Sequence, residues 1–201
     1  LLSQFTLIQV SNKTPAVQLL PLTSRDALRY LFIPTENLRW TAFFDSGWRG
    51  TNADTVGMIA QHLQSRGLRV VAIPNTIQGH TKGKKGRYGG IILKVFGPTG
   101  KTVDNCIRSI GVVNDGGRWS FDQYGEPFPF EQTSKYSERI KKNRFTFEML
   151  KDYLEELSLY PFDENFYLPS SNNKAILVEK RGRIHPGMNY YSLDEARAHY
   201  L

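Results

Sequence analysis

The chain has 201 residues, 40% of them hydrophobic and 22% charged. That is room for one domain or two small ones, and it excludes a disordered tail, a collagen-like repeat and a disulfide scaffold. A chain of this length hides roughly 70% of its unfolded surface, so it needs no metal or disulfide to hold a core. The net charge of +7 is unevenly placed, with +8 in residues 1–100 and −1 in residues 101–201. A basic half favours anionic partners such as nucleic acid or phosphorylated ligands, although the same charge also serves solubility.

Phe5–Val10 alternates as a strand does, and a second apolar stretch, Ala16–Leu22, is interrupted by Pro21. Thr23-Ser24-Arg25-Asp26 has the form of a helix start, which predicts a helix to about Phe32, stopped by Pro34. Leu38–Phe44 is rich in aromatic residues and reads as a buried strand. The loop Asp45-Ser46-Gly47-Trp48-Arg49-Gly50 follows. Val56, Ile59, Ala60 and Leu63 then form one apolar stripe, a helix over about 52–66. Gly67 stands where a left-handed helix terminator is expected, and Leu68–Ile73 is a short strand closed by Pro74. Residues 38–74 therefore read as a βαβ-like unit, which would cross over right-handed.

Residues 75–87 are polar, glycine-bearing and basic, and read as a loop. Tyr88–Phe96, Thr102–Val113 and Arg118–Tyr124 are strands, and Asn114-Asp115-Gly116-Gly117 is a hairpin turn. They predict an antiparallel β-meander over 88–124. The single cysteine, Cys106, lies inside a strand-like run; it excludes an internal disulfide and is expected as a buried structural thiol. Gly125–Phe130 is an extended aromatic-proline segment, and Glu131–Asn143 is expected to be a charged helix. Phe147, Leu150, Leu154 and Leu157 mark a helix over 146–158. Lys174–Lys180 is a strand, and Ser192-Leu193-Asp194-Glu195 is a capping box opening a final helix. The whole reads as one α+β domain, 1–201, with a mostly antiparallel sheet, helices packed on it and a soft boundary near 125–145. The apolar runs fall short of the roughly 20 residues of a membrane helix. The first residues lack the charged and apolar segments of a signal peptide, so a cytoplasmic setting is expected.

Four constellations are candidates for function. If strands 38–44 and 68–73 are parallel neighbours, loops 45–52 and 75–87 leave from one sheet edge, where open α/β sheets bind ligands. Arg49, His80, Lys82, Lys84, Lys85 and Arg87 would there surround an anion. Gly83-Lys84-Lys85-Gly86 lacks the spacing of a phosphate-binding P-loop. Basic residues beside Tyr88 and Trp48 could contact nucleic acid, but no helix-turn-helix, zinc-finger, KH or RRM signature accompanies them. Asp45 and His80 could form a base and its orienter, but a nucleophile is missing because Ser46 has no Gly-x-Ser-x-Gly elbow. The four histidines have no metal-ligand spacing, so neither a metal nor a cofactor is expected. Finally, Trp119, Phe121, Tyr124, Phe128 and Phe130 crowd into twelve residues. They suit either a partner-binding face or the packing of an extended segment onto the sheet. The reading that follows is a non-enzymatic cytoplasmic accessory protein, of the immunity, adaptor or regulator kind, working through a protein partner. The alternative is an anion-binding domain or enzyme acting on a phosphorylated ligand or nucleic acid at the 45–52/75–87 edge.

Overall fold

Antiparallel pairing between strands of period-two sequence organises both parts of the molecule. The computed structural model describes residues 5–10, 15–48, 55–77, 86–100, 102, 105–167, 174–182 and 184–198. The strands among them are Phe5–Val10 (β1), Leu22–Thr23 (β2), Arg29–Pro34 (β3), Thr41–Asp45 (β4), Gly67–Ile73 (β5), Gly90–Phe96 (β6), Cys106–Asp115 (β7), Arg118–Tyr124 (β8), Ala175–Lys180 (β9) and Tyr190–Tyr191 (β10). The α-helices are Thr55–His62 (α1), Phe147–Glu156 (α2) and Leu193–Ala198 (α3). The chain divides into two compact units, Leu1–Asn52 with Leu159–Ala198 and Ala53–Ser158 with His199–Leu201. None of the described helices is long and apolar enough to cross a membrane.

The first unit carries a four-stranded antiparallel sheet in the order β1-β9-β3-β4. Leu31, Ile33, Ala175 and Leu177 alternate inward on its two central strands and form a core with Val10 and Leu19. The helix expected over 23–32 is not formed; β3 occupies its second half. Leu31 and Ile33 are buried at 0% and 3% exposure, with Tyr30 and Phe32 on the opposite face. That is period two rather than 3.6, and pairing on both sides outweighs the local helix-start signal. The signal makes a turn instead. The Thr23 hydroxyl donates to the Asp26 carbonyl at 2.9 Å. The fully buried Ser46 hydroxyl accepts the Leu28 and Arg29 amides at 3.0 and 3.1 Å. Near the C-terminus the capping box is realised: the Ser192 amide donates to Glu195 Oε2 at 2.7 Å, and the Glu195 amide donates to Ser192 Oγ at 3.2 Å.

The second unit is the predicted meander lengthened by one strand, β5-β6-β7-β8, antiparallel throughout. The βαβ-like unit over 38–74 is not formed. Strand β4 pairs with β3 and strand β5 with β6, in separate sheets. Strand β4 closes onto β3 over the short connection 35–40, and strand β5 joins β6, the next strand along the chain. Helix α1 packs Val56 and Ala60 against Phe96 and Cys106, and Cys106 is buried as expected. Gly67 begins β5 rather than ending α1, and the left-handed residue is Gln64, at φ 50°. Gly67 is small because the helix lies on it: a Cβ there would stand 3.0 Å from Val56 Cγ1 and 3.1 Å from Ala60 Cβ.

Gly116 and Gly117 turn the β7–β8 hairpin with φ of 57° and 94°, the left-handed pair that such a two-residue turn demands. The helix expected over 131–143 is replaced by two short 3-10 turns, Thr133–Ser137 and Lys141–Asn143. Only Glu131 and Tyr136 of that segment are buried, so it has no apolar stripe to hold an α-helix. Helix α2 matches its prediction. Thr146 caps it, accepting the Met149 amide, and Met149, Leu150, Tyr153 and Leu154 face inward.

Candidate functional site

The composite anion edge rested on strands 38–44 and 68–73 being parallel neighbours, and they are not neighbours in a sheet. Of its residues, Arg49, His80, Lys82, Lys84 and Lys85 lie outside the described residues. Arg87 is half-buried at the foot of the β5–β6 connection. Its amide donates to the Thr76 hydroxyl at 2.7 Å, and its carbonyl accepts the Thr76 amide at 2.9 Å. Asn75 completes this clasp, its Oδ1 accepting from the Gly89 amide and from Asn114 Nδ2, both at 3.0 Å. The foot of the basic connection is thus tied to the sheet by backbone and amide groups.

Asp45 ends β4, and its Oδ1 accepts the Gly47 amide at 2.8 Å. Burial pushes its carboxyl above the ordinary range, against the lowering effect of that hydrogen bond. Tyr30 stands across from it in register. Burial, followed by the charges of Asp45 and Asp26, raises the Tyr30 phenol. His80, the proposed partner of Asp45, is outside the described residues. Among the described residues no three His, Cys, Asp or Glu side chains converge as metal ligands would.

The aromatic set 119–130 does not form one face. Trp119 and Phe121 pair with Asn114 and Val112, the inward register of β7, and both are half-buried. Phe121 lies 5.4 Å from the Tyr136 ring, with the Arg144 guanidinium over it at 5.6 Å. Phe128 stacks on Phe130 at 5.3 Å, and Phe130 rests on Tyr153 at 5.7 Å. Tyr124 pairs with Ser109 in the outward register and is exposed. Phe130, stacked on by Phe128, thus binds the extended segment to α2, while Phe121 packs β8 against Tyr136.

Beneath them lies a buried polar cluster that no spacing rule announced. Arg108, fully buried, directs all five guanidinium hydrogens to acceptors. Nε donates to Glu131 Oε1 at 2.9 Å and Nη2 to Glu131 Oε2 at 2.6 Å. Nη1 donates to the carbonyls of Tyr124 and Gly125, and Nη2 also to Gln123 Oε1. Glu131 additionally accepts the Phe128 amide at 2.9 Å and the Tyr136 hydroxyl at 2.8 Å. The Tyr136 and Tyr153 hydroxyls stand 3.0 Å apart, and Tyr153 accepts the Gln132 amide at 2.6 Å. Burial holds the Tyr136 phenol far above its ordinary value, reinforced by its bonds to Tyr153 and Glu131. Every donor and acceptor is engaged within the chain, which is the arrangement of a structural clamp rather than of a reacting centre. A sign of it was readable: Arg108 occupies the inward register of Cys106-x-Arg108-x-Ile110-x-Val112.

The surface feature that sequence reasoning missed is the outer face of the first sheet. Leu7, Val178 and Tyr30 stand in register across it, and Ile176, Phe32 and Phe43 form the next row. The Phe43 ring stacks on Tyr30 at 6.0 Å and tilts against Phe32 at 5.2 Å. Leu7 is 70% exposed, Ile176 43% and Phe5 37%, while Val178, Tyr30, Phe32 and Phe43 are half-buried. The strand predicted as buried over 38–44 is thus an edge strand with Phe43 on this face. Lys174 and Lys180 mark the two ends of the β9 row. Comparison with protein-family models, with curated proteins and with solved structures found no match to this chain.

Proposed function

We propose that this chain is a non-enzymatic cytoplasmic binding protein that acts through a protein partner, and that the outer face of the β1-β9-β3-β4 sheet is the contact surface. The observation that carries the reading is the run of seven apolar side chains, Phe5, Leu7, Ile176, Val178, Tyr30, Phe32 and Phe43, in adjacent register positions of one face. Contiguous apolar patches rimmed by polar groups are characteristic of interaction sites on soluble proteins, whereas single exposed apolar residues need no explanation. Fully burying each such side chain contributes about 1.5–3 kcal/mol, and association itself costs about 4–15 kcal/mol, so a stable complex here draws on most of the seven. The full engagement of the Arg108–Glu131 cluster and the scattering of the 119–130 rings, with only Tyr124 exposed among them, direct the search for a contact surface to this face.

The test is Leu7→Asp combined with Ile176→Asp. Both side chains are exposed, so the change in stability stays within about 1 kcal/mol for the pair. At physiological salt and after nuclease treatment, the wild-type chain retains a stoichiometric protein partner from the source cells and the double variant loses it, with circular dichroism unchanged. Equal retention by a folded double variant refutes this surface. Recovery of nucleic acid alone refutes the protein-partner reading.

A further inference from the structure

We infer that Arg25 and His185 form a binding site for an oxyanion, a carboxylate or a phosphate group. This goes beyond the protein-partner reading and does not depend on it. Both side chains are exposed, but their backbones are fixed against each other. Strand β2 pairs with β10, Tyr190 opposite Thr23 and Tyr191 opposite Leu22. The Ser24 amide donates to the Asn189 carbonyl at 3.0 Å, and the Asn189 amide donates to Ser24 Oγ at 2.9 Å. The Trp48 ring stacks on Tyr191 at 4.9 Å beside the same ladder. His185-Pro186-Gly187-Met188 is a closed turn, with the Met188 amide donating to the His185 carbonyl at 3.0 Å.

Inside that turn the Gly187 amide donates to His185 Nδ1, also at 3.0 Å. A neutral imidazole that accepts at Nδ1 carries its hydrogen on Nε2. His185 Nε2 stands 3.3 Å from Arg25 Nη1, and a guanidinium has no acceptor. Two N–H donors therefore face each other. The other protonation states do not remove the conflict. A hydrogen on Nδ1, in the neutral ring or in the imidazolium, sets it against the Gly187 amide. The Gly187 amide is held in place by the closed turn, whereas the Arg25 contact is made by an exposed side chain open to solvent. An oxygen bearing negative charge, placed within reach of both N–H groups, converts the conflict into two charge-assisted hydrogen bonds. The turn itself lies along the guanidinium: a Cβ on Gly187 would stand 3.5 Å from Arg25 Nη2. Among the described residues no carboxylate forms an ion pair with Arg25.

The test uses the full chain with ¹⁵N-labelled histidine, the His185 signals being those missing from His185→Ala. Long-range proton–nitrogen spectra are expected to show the Nε2–H tautomer. Inorganic phosphate and, separately, acetate are then titrated at constant ionic strength against chloride. The His185 signals shift along a saturating curve, and Arg25→Ala weakens the binding at least ~10-fold. Tighter binding of phosphate assigns the site to phosphorylated ligands, and tighter binding of acetate assigns it to carboxylates. The inference is overturned by an Nδ1–H tautomer, or by a shift that fails to saturate and is the same in Arg25→Ala.

Discussion

Replacing Glu131 with Gln changes one atom of a side chain that is fully enclosed, and the consequence can be worked from the bonds around it. Glu131 Oε1 accepts Arg108 Nε–H and the Phe128 amide, while Oε2 accepts Arg108 Nη2–H and the Tyr136 hydroxyl. A glutamine amide group placed at either position meets one Arg108 donor. At the Oε1 position it also meets the Phe128 amide. At the Oε2 position Tyr136 can turn its hydrogen toward Tyr153, but the contact with Nη2, now 2.6 Å, sets donor against donor. The guanidinium also keeps its charge at 0% exposure with no counter-ion in contact. Breaking a buried pair from one side costs about 3–5 kcal/mol. Set against a stability of about 5–15 kcal/mol, that is at least about a fifth of what holds a domain folded. Trp119 is the only tryptophan in residues 53–158, so its fluorescence in a Trp40→Phe, Trp48→Phe background follows the unit that contains the cluster. Urea unfolding of Glu131→Gln is expected to show that loss. Arg108→Met combined with Glu131→Leu is expected to recover much of it, because the desolvation cost disappears with the pair. A loss below about 1 kcal/mol for Glu131→Gln, which is the size of one ordinary hydrogen bond, would refute the closed network described above.

Two further outcomes follow from single positions. Burial raises the Asp45 carboxyl, so the folded chain holds that proton more tightly than the unfolded chain, and stability falls as pH rises through the interval between the two values. Asp45→Asn keeps the Oδ1 acceptor for the Gly47 amide. It should be at least as stable as the wild type at pH 7 and lose that advantage below about pH 3.9, where both side chains are neutral in the folded and unfolded states; urea midpoints across pH 3–7 check this, and a pH-independent difference would contradict it. Gly125 has φ of 81°, and a Cβ there would run into the Ile107 carbonyl oxygen. Its own carbonyl accepts from Arg108. Gly125→Ala therefore strains the backbone and displaces the clamp, and thermal unfolding should show a loss of at least about 2 kcal/mol.

Local pattern was enough for several elements. The period-two alternation of Phe5–Val10 and Lys174–Lys180, the strand within Tyr88–Phe96, the Asp115-Gly116 turn, the α2 stripe and the Ser192–Glu195 box all form where the sequence places them. In each, the deciding interaction joins residues close in the chain or follows from one repeating period. The misreadings share the opposite property. Thr23-Ser24-Arg25-Asp26 resembles a helix start because a hydroxyl cap and an Asx-type turn use the same residues; what selects the turn is Ser46, 17 and 18 residues away from the amides it accepts. Glu131–Asn143 has helix-forming residues, but Glu131 is drawn to Arg108, 23 positions earlier.

The candidate surfaces divide in the same way. Arg108 in an inward register announced a buried charge, but nothing near it in sequence named Glu131, Tyr136 and Tyr153 as its neighbours. The Arg25–His185 contact joins residues 160 positions apart. The outer apolar face is the clearest case. Tyr30–Ile33 and Ala175–Val178 are apolar on both faces, which by itself describes a strand covered on both sides. The sequence determined which residues alternate, where the chain turns and that strands outnumber helices. Which strands pair, and therefore which apolar face is closed by a core and which stays open to water, was decided only by tertiary structure. Alternation specifies two faces of a strand, while the identity of what covers each face is a property of distant segments.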